Sequence, residues 1–102
     1  MPAQYDMSPQ IRPEMREDVQ AGLSALQQGD IDGAREHFIV LLEEDPGLAS
    51  AHLGLGRVFT AEGNHAKALE HFEEALAIQP DLAPARFFSA EAHEQLGDTH
   101  AA

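Results

Sequence analysis

Six histidines and the segment Gly29-Asp30-Ile31-Asp32-Gly33 are the parts of this 102-residue chain equipped for chemistry, since imidazoles and carboxylates hold metals and move protons. The histidines are His37, His52, His65, His71, His93 and His100. Zinc chemistry needs ligands that converge at short fixed spacing, such as two histidines four apart around a glutamate. Here His93-Glu94 is followed by no histidine until His100, and His65 and His71 fall on different sides of a helix. The spacing reads as structural or surface histidine, with no metal expected. A calcium loop needs about twelve residues with further oxygen ligands and a closing glutamate, which the stretch from Gly29 does not provide in register. Asp30, Asn64 and Asp98 each follow a glycine, and the sequence predicts turn residues whose side chains accept from the free N–H groups of a helix start. No phosphate-cradling glycine loop, nucleophile elbow or defined acid pair occurs. The absence of cysteine removes thiolate, disulfide and cysteine–zinc chemistry. The expectation is a chain that is not an enzyme and holds no cofactor.

Composition bounds the rest. With 43% hydrophobic residues the chain can build one compact unit. No apolar run approaches the roughly 20 residues of a membrane span, and the N-terminus lacks the basic, apolar, small-residue order of a signal peptide. A soluble, cytoplasmic protein is expected. The net charge of −12 comes from 18 acids against 6 bases, of which Lys67 is the one lysine. Nucleic acids and anionic lipid are bound by neutralising phosphates with Lys and Arg, so neither is an expected partner, and a charged partner would be basic. A solvated acidic surface, or adaptation to high salt, would leave the same signature.

The elements that must carry these residues emerge when the chain is slid against itself. Gly22 and Gly56, Gly29 and Gly63, Ala34 and Ala68, Glu36 and Glu70, His37 and His71, Phe38 and Phe72, Leu42 and Leu76, Pro46 and Pro80, and Leu48 and Leu82 all stand 34 apart, and Gly97 continues the series. Ala51, Leu55 and Phe59 lie at helical spacing, as do Leu69, Phe72, Ala75 and Leu76, with Glu70, Glu73 and Glu74 turned outward. Gly63-Asn64 separates the two stripes and Pro80 ends the second. The pattern predicts an all-α chain of five helices over about 13–28, 31–45, 49–62, 65–79 and 83–96. Residues 1–12 are expected as a flexible arm, with Pro13 suited to a first helical turn.

These residues resemble the tetratricopeptide repeat. Its small residues, glycine, alanine, aromatic and proline appear as Gly22, Gly29, Ala34, Phe38, Leu41 and Pro46 in a unit over 15–48, and as Gly56, Gly63, Ala68, Phe72, Ala75 and Pro80 in a unit over 49–82. A partial unit over 83–102 keeps Ala90, Gly97 and Ala102. The resemblance implies a helical-hairpin solenoid over 13–102, with two full repeats plus a single capping helix of a third. That last helix is either a natural cap or the place where a longer chain continues. Asp18 and Ala25 in the first unit, and Arg86 and His93 in the third, replace the large aromatics usual there, so both ends are expected to pack less well than the middle.

The resemblance also implies a concave groove lined by the first helix of each unit: Arg16, Val19, Leu23 and Leu26; Ser50, Leu53, Arg57 and Thr60; and Phe87, Glu91 and Glu94. Val19, Leu23, Phe87 and Glu91 stand where a carboxylate-gripping groove of this family carries lysines, arginines and asparagines, so only Arg57 could serve such a role. The expected function is a non-catalytic adaptor that binds a peptide or amphipathic helix of another protein, an acid meeting Arg57 and a basic end meeting Glu91 and Glu94. Alternatively Tyr5, Met7 and Ile11 of the chain's own arm occupy the groove. A different class is a homo-oligomeric scaffold in which Phe87, Phe88 and Leu96 of the fifth helix pack against a second copy, because a phenyl ring at position 88 needs cover.

Overall fold

The computed structural model describes residues 13–97 and contains five helices: α1 (Pro13–Gln27), α2 (Ile31–Glu44), α3 (Ala49–Ala61), α4 (His65–Ile78) and α5 (Ala83–Leu96). Each lies within a residue or two of the expectation from the 34-residue pattern. The proposed arm, with Tyr5, Met7 and Ile11, and the turn residue Asp98 fall outside the described residues. Among the described residues no helix is long and apolar enough to cross a membrane.

Two kinds of connection alternate, and each is built by local chemistry. After α1, Gly29 takes φ +82, the left-handed conformation that glycine reaches without a Cβ penalty. Asp30 then donates its N–H to the Ala25 carbonyl at 2.8 Å, while its Oδ1 accepts from Gly33 N–H at 3.0 Å and so starts α2. The turn after α3 repeats every step: Gly63 has φ +82, Asn64 N–H reaches the Phe59 carbonyl at 2.9 Å, and Asn64 Oδ1 accepts from Lys67 N–H at 3.2 Å. The other connections precede proline. Asp45 and Gln79 are forced out of helical geometry to φ −144 and −135 by Pro46 and Pro80, ending α2 and α4.

Consecutive helices pack as hairpins. In addition α1 touches α3 and α3 touches α5, whereas α2 and α4 do not meet. The odd-numbered helices thus form the tighter inner layer and line the concave side. The core lies between the layers and centres on two rings, Phe38 and Phe72, both with no exposure. Burying each stabilises the fold by about 1.5–3 kcal/mol. Phe38 enters a socket between α1 and α3: a Cβ on Gly22 would stand 2.6 Å from the ring and one on Gly54 would stand 2.4 Å from it. Phe72 meets Gly56 in the same way, at 2.3 Å, but its other neighbour is a ring, Phe88, with centroids 5.7 Å apart. The middle helix α3 buries Ala49, Ala51, Gly54, Leu55, Gly56 and Val58, while α5 buries only Ala85 and Ala92. Arg35 of α2 pairs with Asp32 at 2.7 Å and with Glu62 at the end of α3, joining the first hairpin to the second.

Candidate functional site

The inner layer carries three rows of equivalent positions: Val19, Leu53 and Phe87; Leu23, Arg57 and Glu91; Leu26, Thr60 and Glu94. Along each row the character changes from apolar and covered to polar or open. Val19 is 9% exposed and belongs to the core, with Leu23 and Leu26 packed against the same cluster. Leu53 is shared between two further clusters. Phe87 is 58% exposed, and Glu91, Glu94 and Arg16 lie in solvent. The apolar wall inferred for α1 is therefore largely consumed by α1's own packing, because one helical stripe serves both core and groove. The open part of the inner face lies toward α5.

Arg57 is half-buried on the central helix, with its guanidinium 5.1 Å from the centre of the Phe88 ring. Among the described residues it has no carboxylate partner. Phe88 in turn is held edge-on by Phe87, with centroids at 5.2 Å and planes at 72°, and stacks on Phe72. The cover that a phenyl ring at this position needs comes from within the chain. Phe87 and Leu96, the latter 41% exposed, are the members of the inferred self-association set that face solvent.

Beside Phe88 lies a recess of about 140 Å3. The structure brings Thr60, Glu91 and Glu94 of the inner rows together there, adding His65, Ala92 and Gln95, which helical periodicity does not reveal. His65 arrives because α4 begins against α5, a contact between helices that no spacing along the sequence encodes. The polar lining is rich in acceptors. Thr60 uses its hydroxyl hydrogen on the Gly56 carbonyl at 3.0 Å and so keeps lone pairs free, the two glutamates accept only, and His65 Nδ1 is buried with no partner among the described residues.

Three further histidines and several acids are placed as follows, while His100 falls outside the described residues. His37 Nδ1 is 3.7 Å from Asp18 Oδ1 across the first hairpin. His52 and His71 meet each other across the second, beside an open cleft of about 510 Å3 that Glu70, Glu73 and Glu74 also line. Burial pushes His71 below the ordinary histidine range, and the neighbouring His52 adds to that depression. Of the two aspartates recalling a calcium loop, Asp30 caps α2 and Asp32 pairs with Arg35. Among the described residues no group of three His, Asp or Glu side chains could hold a metal ion.

The sequence model of the tetratricopeptide repeat family matches residues 19–83. The chain belongs to that family, whose repeats mediate protein–protein interaction and are typically non-catalytic modules. A stretch of 44 residues is 41% identical to the human protein described as antiviral innate immune response effector IFIT1. The match covers 43% of this chain and 9% of that relative.

Proposed function

We propose that the chain is an adaptor module whose inner face takes an amphipathic helix of another protein, oriented by charge. The observation that carries this is the chemistry of the α3–α5 end of that face. A half-buried guanidinium with no carboxylate partner among the described residues sits next to a recess lined by acceptors over an apolar floor. An acid on the partner suits Arg57, a lysine or arginine suits Glu91 and Glu94, and apolar side chains between them suit Leu53 and Phe87. The overall charge of −12 favours a partner that is basic overall, which suits the end that meets Glu91 and Glu94.

The test is selection from a randomised helical peptide library on the immobilised chain, followed by anisotropy titration of the selected peptides. Selected peptides are expected to carry an acid toward one end and lysine or arginine toward the other. Arg57→Glu and the pair Glu91→Lys, Glu94→Lys are each expected to weaken binding about tenfold, the scale of one well-placed charge. Glu36→Lys, on exposed α2 surface, is expected to leave it unchanged. Peptides that bind all these variants equally would overturn the proposal. A second copy of the chain is the alternative occupant, supported by the exposed Phe87 ring and opposed by the like charge of two such chains. Light scattering over a wide concentration range distinguishes it, as a mass that rises with concentration and falls back for Phe87→Glu.

A further inference from the structure

The contact between His52 and His71 lies away from the inner face and plays no part in the binding proposed for it. Its hydrogen placement follows from a neighbour whose role is fixed. His52 Nε2 is 3.0 Å from the Pro46 carbonyl, and a carbonyl can only accept, so Nε2 carries the hydrogen. A neutral His52 then presents a bare lone pair at Nδ1. His71 Nδ1 faces it at 3.4 Å and must supply the hydrogen between them. The neutral pair has one consistent arrangement: Nε2–H on His52 and Nδ1–H on His71. The ring centroids are 5.6 Å apart, close to the greatest separation that a 3.4 Å nitrogen contact permits, so the two nitrogens point at each other. That is the geometry of a hydrogen bond, since two ligands of one metal ion would aim at a common point to the side.

We propose that the His52–His71 contact is a proton-operated latch, tying α4 through α3 to the connection after α2, that keeps its bond on taking up one proton and opens on the second. The proton count gives the mechanism. One proton from solvent goes to the bare Nε2 of His71, or equivalently the bridging hydrogen shifts to His52 while His71 takes the new proton at Nε2. Either way one N–H still spans the two Nδ1 atoms. A second proton leaves every ring nitrogen carrying hydrogen. Two N–H groups then face each other across 3.4 Å on two cations, and the bond is lost.

The surroundings decide how strongly the second proton is resisted. His71 lies parallel to Phe59 of α3, with centroids 5.4 Å apart and planes at 11°. That burial, the His52 charge and Lys67 disfavour a cation at His71, while Glu70 and Glu74 favour one and Glu73 lines the same cleft. In the 45–48 connection the Asp45 carboxylate accepts from Gly47 N–H at 3.0 Å. Burial leads, so the folded chain holds its proton less readily than the unfolded chain, whose histidines titrate near 6.5. Below that pH the unfolded state binds more protons than the folded one. The stability this adds is complete above about pH 6.5 and declines as the pH falls through the lowered His71 value, and the bond itself opens once the pair has taken its second proton.

Two measurements on the whole chain test this. Long-range 1H–15N NMR correlation at pH 8 is expected to show hydrogen on Nδ1 of His71 and on Nε2 of His52. The reverse placement at His71 overturns the proposal, and this readout needs no variant. Urea unfolding at pH 8 and pH 5 is then compared for wild type, His71→Phe and His52→Gln. Carboxylate protonation is common to all three, so the latch appears as the extra fall in the wild-type folding constant at pH 5. Loss of that extra fall in either folded variant supports the latch, and equal pH responses in all three chains refute it.

Discussion

Gly54→Ala sets two general effects against each other, and the structure decides between them. In an exposed helix interior the change from glycine to alanine stabilises by about 1 kcal/mol, because glycine loses more backbone freedom on folding. Gly54 lies inside α3, but its new methyl would stand 2.4 Å from Cε1 and Cζ of Phe38 and 2.5 Å from Cδ1. The ring cannot retreat. It is fully buried, and its far end already lies 2.6 Å from where a Gly22 methyl would be. Overpacking of this kind costs about 1–3 kcal/mol. The steric term outweighs the propensity gain, leaving a net loss of up to about 2 kcal/mol, which lowers Tm by about 4–8 °C per kcal/mol in a chain of this size. With no tryptophan, the transition is best followed by far-UV circular dichroism in urea and on heating. Phe38→Leu in the Gly54→Ala background frees the socket, so the double variant is expected to be more stable than the two single losses sum to, by about 1 kcal/mol or more. A Gly54→Ala chain that melts at or above the wild type would refute the reasoning, and so would additive losses.

Three shorter predictions concern the same scaffold. Asp30→Ala and Asn64→Ala each remove a side chain that accepts from the first turn of a helix, and each is expected to lower the unfolding free energy by about 1 kcal/mol in urea titrations. Gly63→Ala meets no atom within 4 Å, so its cost is backbone strain at φ +82 alone, about 1–2 kcal/mol, read from the same titration. Phe88→Glu is expected to shift the urea midpoint strongly downward because that ring covers Phe72 and supports Arg57, whereas Phe87→Glu, at a ring 58% exposed, is expected to stay within about 0.5 kcal/mol of wild type.

The helices, turns and caps were legible in the sequence because each is decided within a few residues. Gly29 and Gly63 supply the left-handed turn, Asp30 and Asn64 the acceptors, and Pro46 and Pro80 the stops. What crosses between helices was not legible. Val19, Leu23 and Leu26 share a stripe that periodicity alone offers equally to the core and the groove, and packing against α2 and α3 draws it inward. His52 and His71 are 19 positions apart, a separation unrelated to the repeat, and only the closing of the second hairpin makes them a pair.

The most informative residue is the one that breaks the period. Phe38 and Phe72 are equivalent, and so are the glycines at their backs, Gly22 and Gly56. The second wall differs: Phe38 fits against Gly54, and the position 34 residues further on, which faces Phe72, is Phe88. A hydrogen atom at one interface is a phenyl ring at the next. The ring cannot enter the socket, so it lies over Phe72, draws Arg57 across it and leaves beside it the recess that Thr60, Glu91 and Glu94 line. Two interfaces built from one repeat thus end in different surfaces. The position where the scaffold pattern fails is where the inner face gains a cation, a cavity and unused acceptors together, which is why that end of the face is the place to look for a partner's side chains.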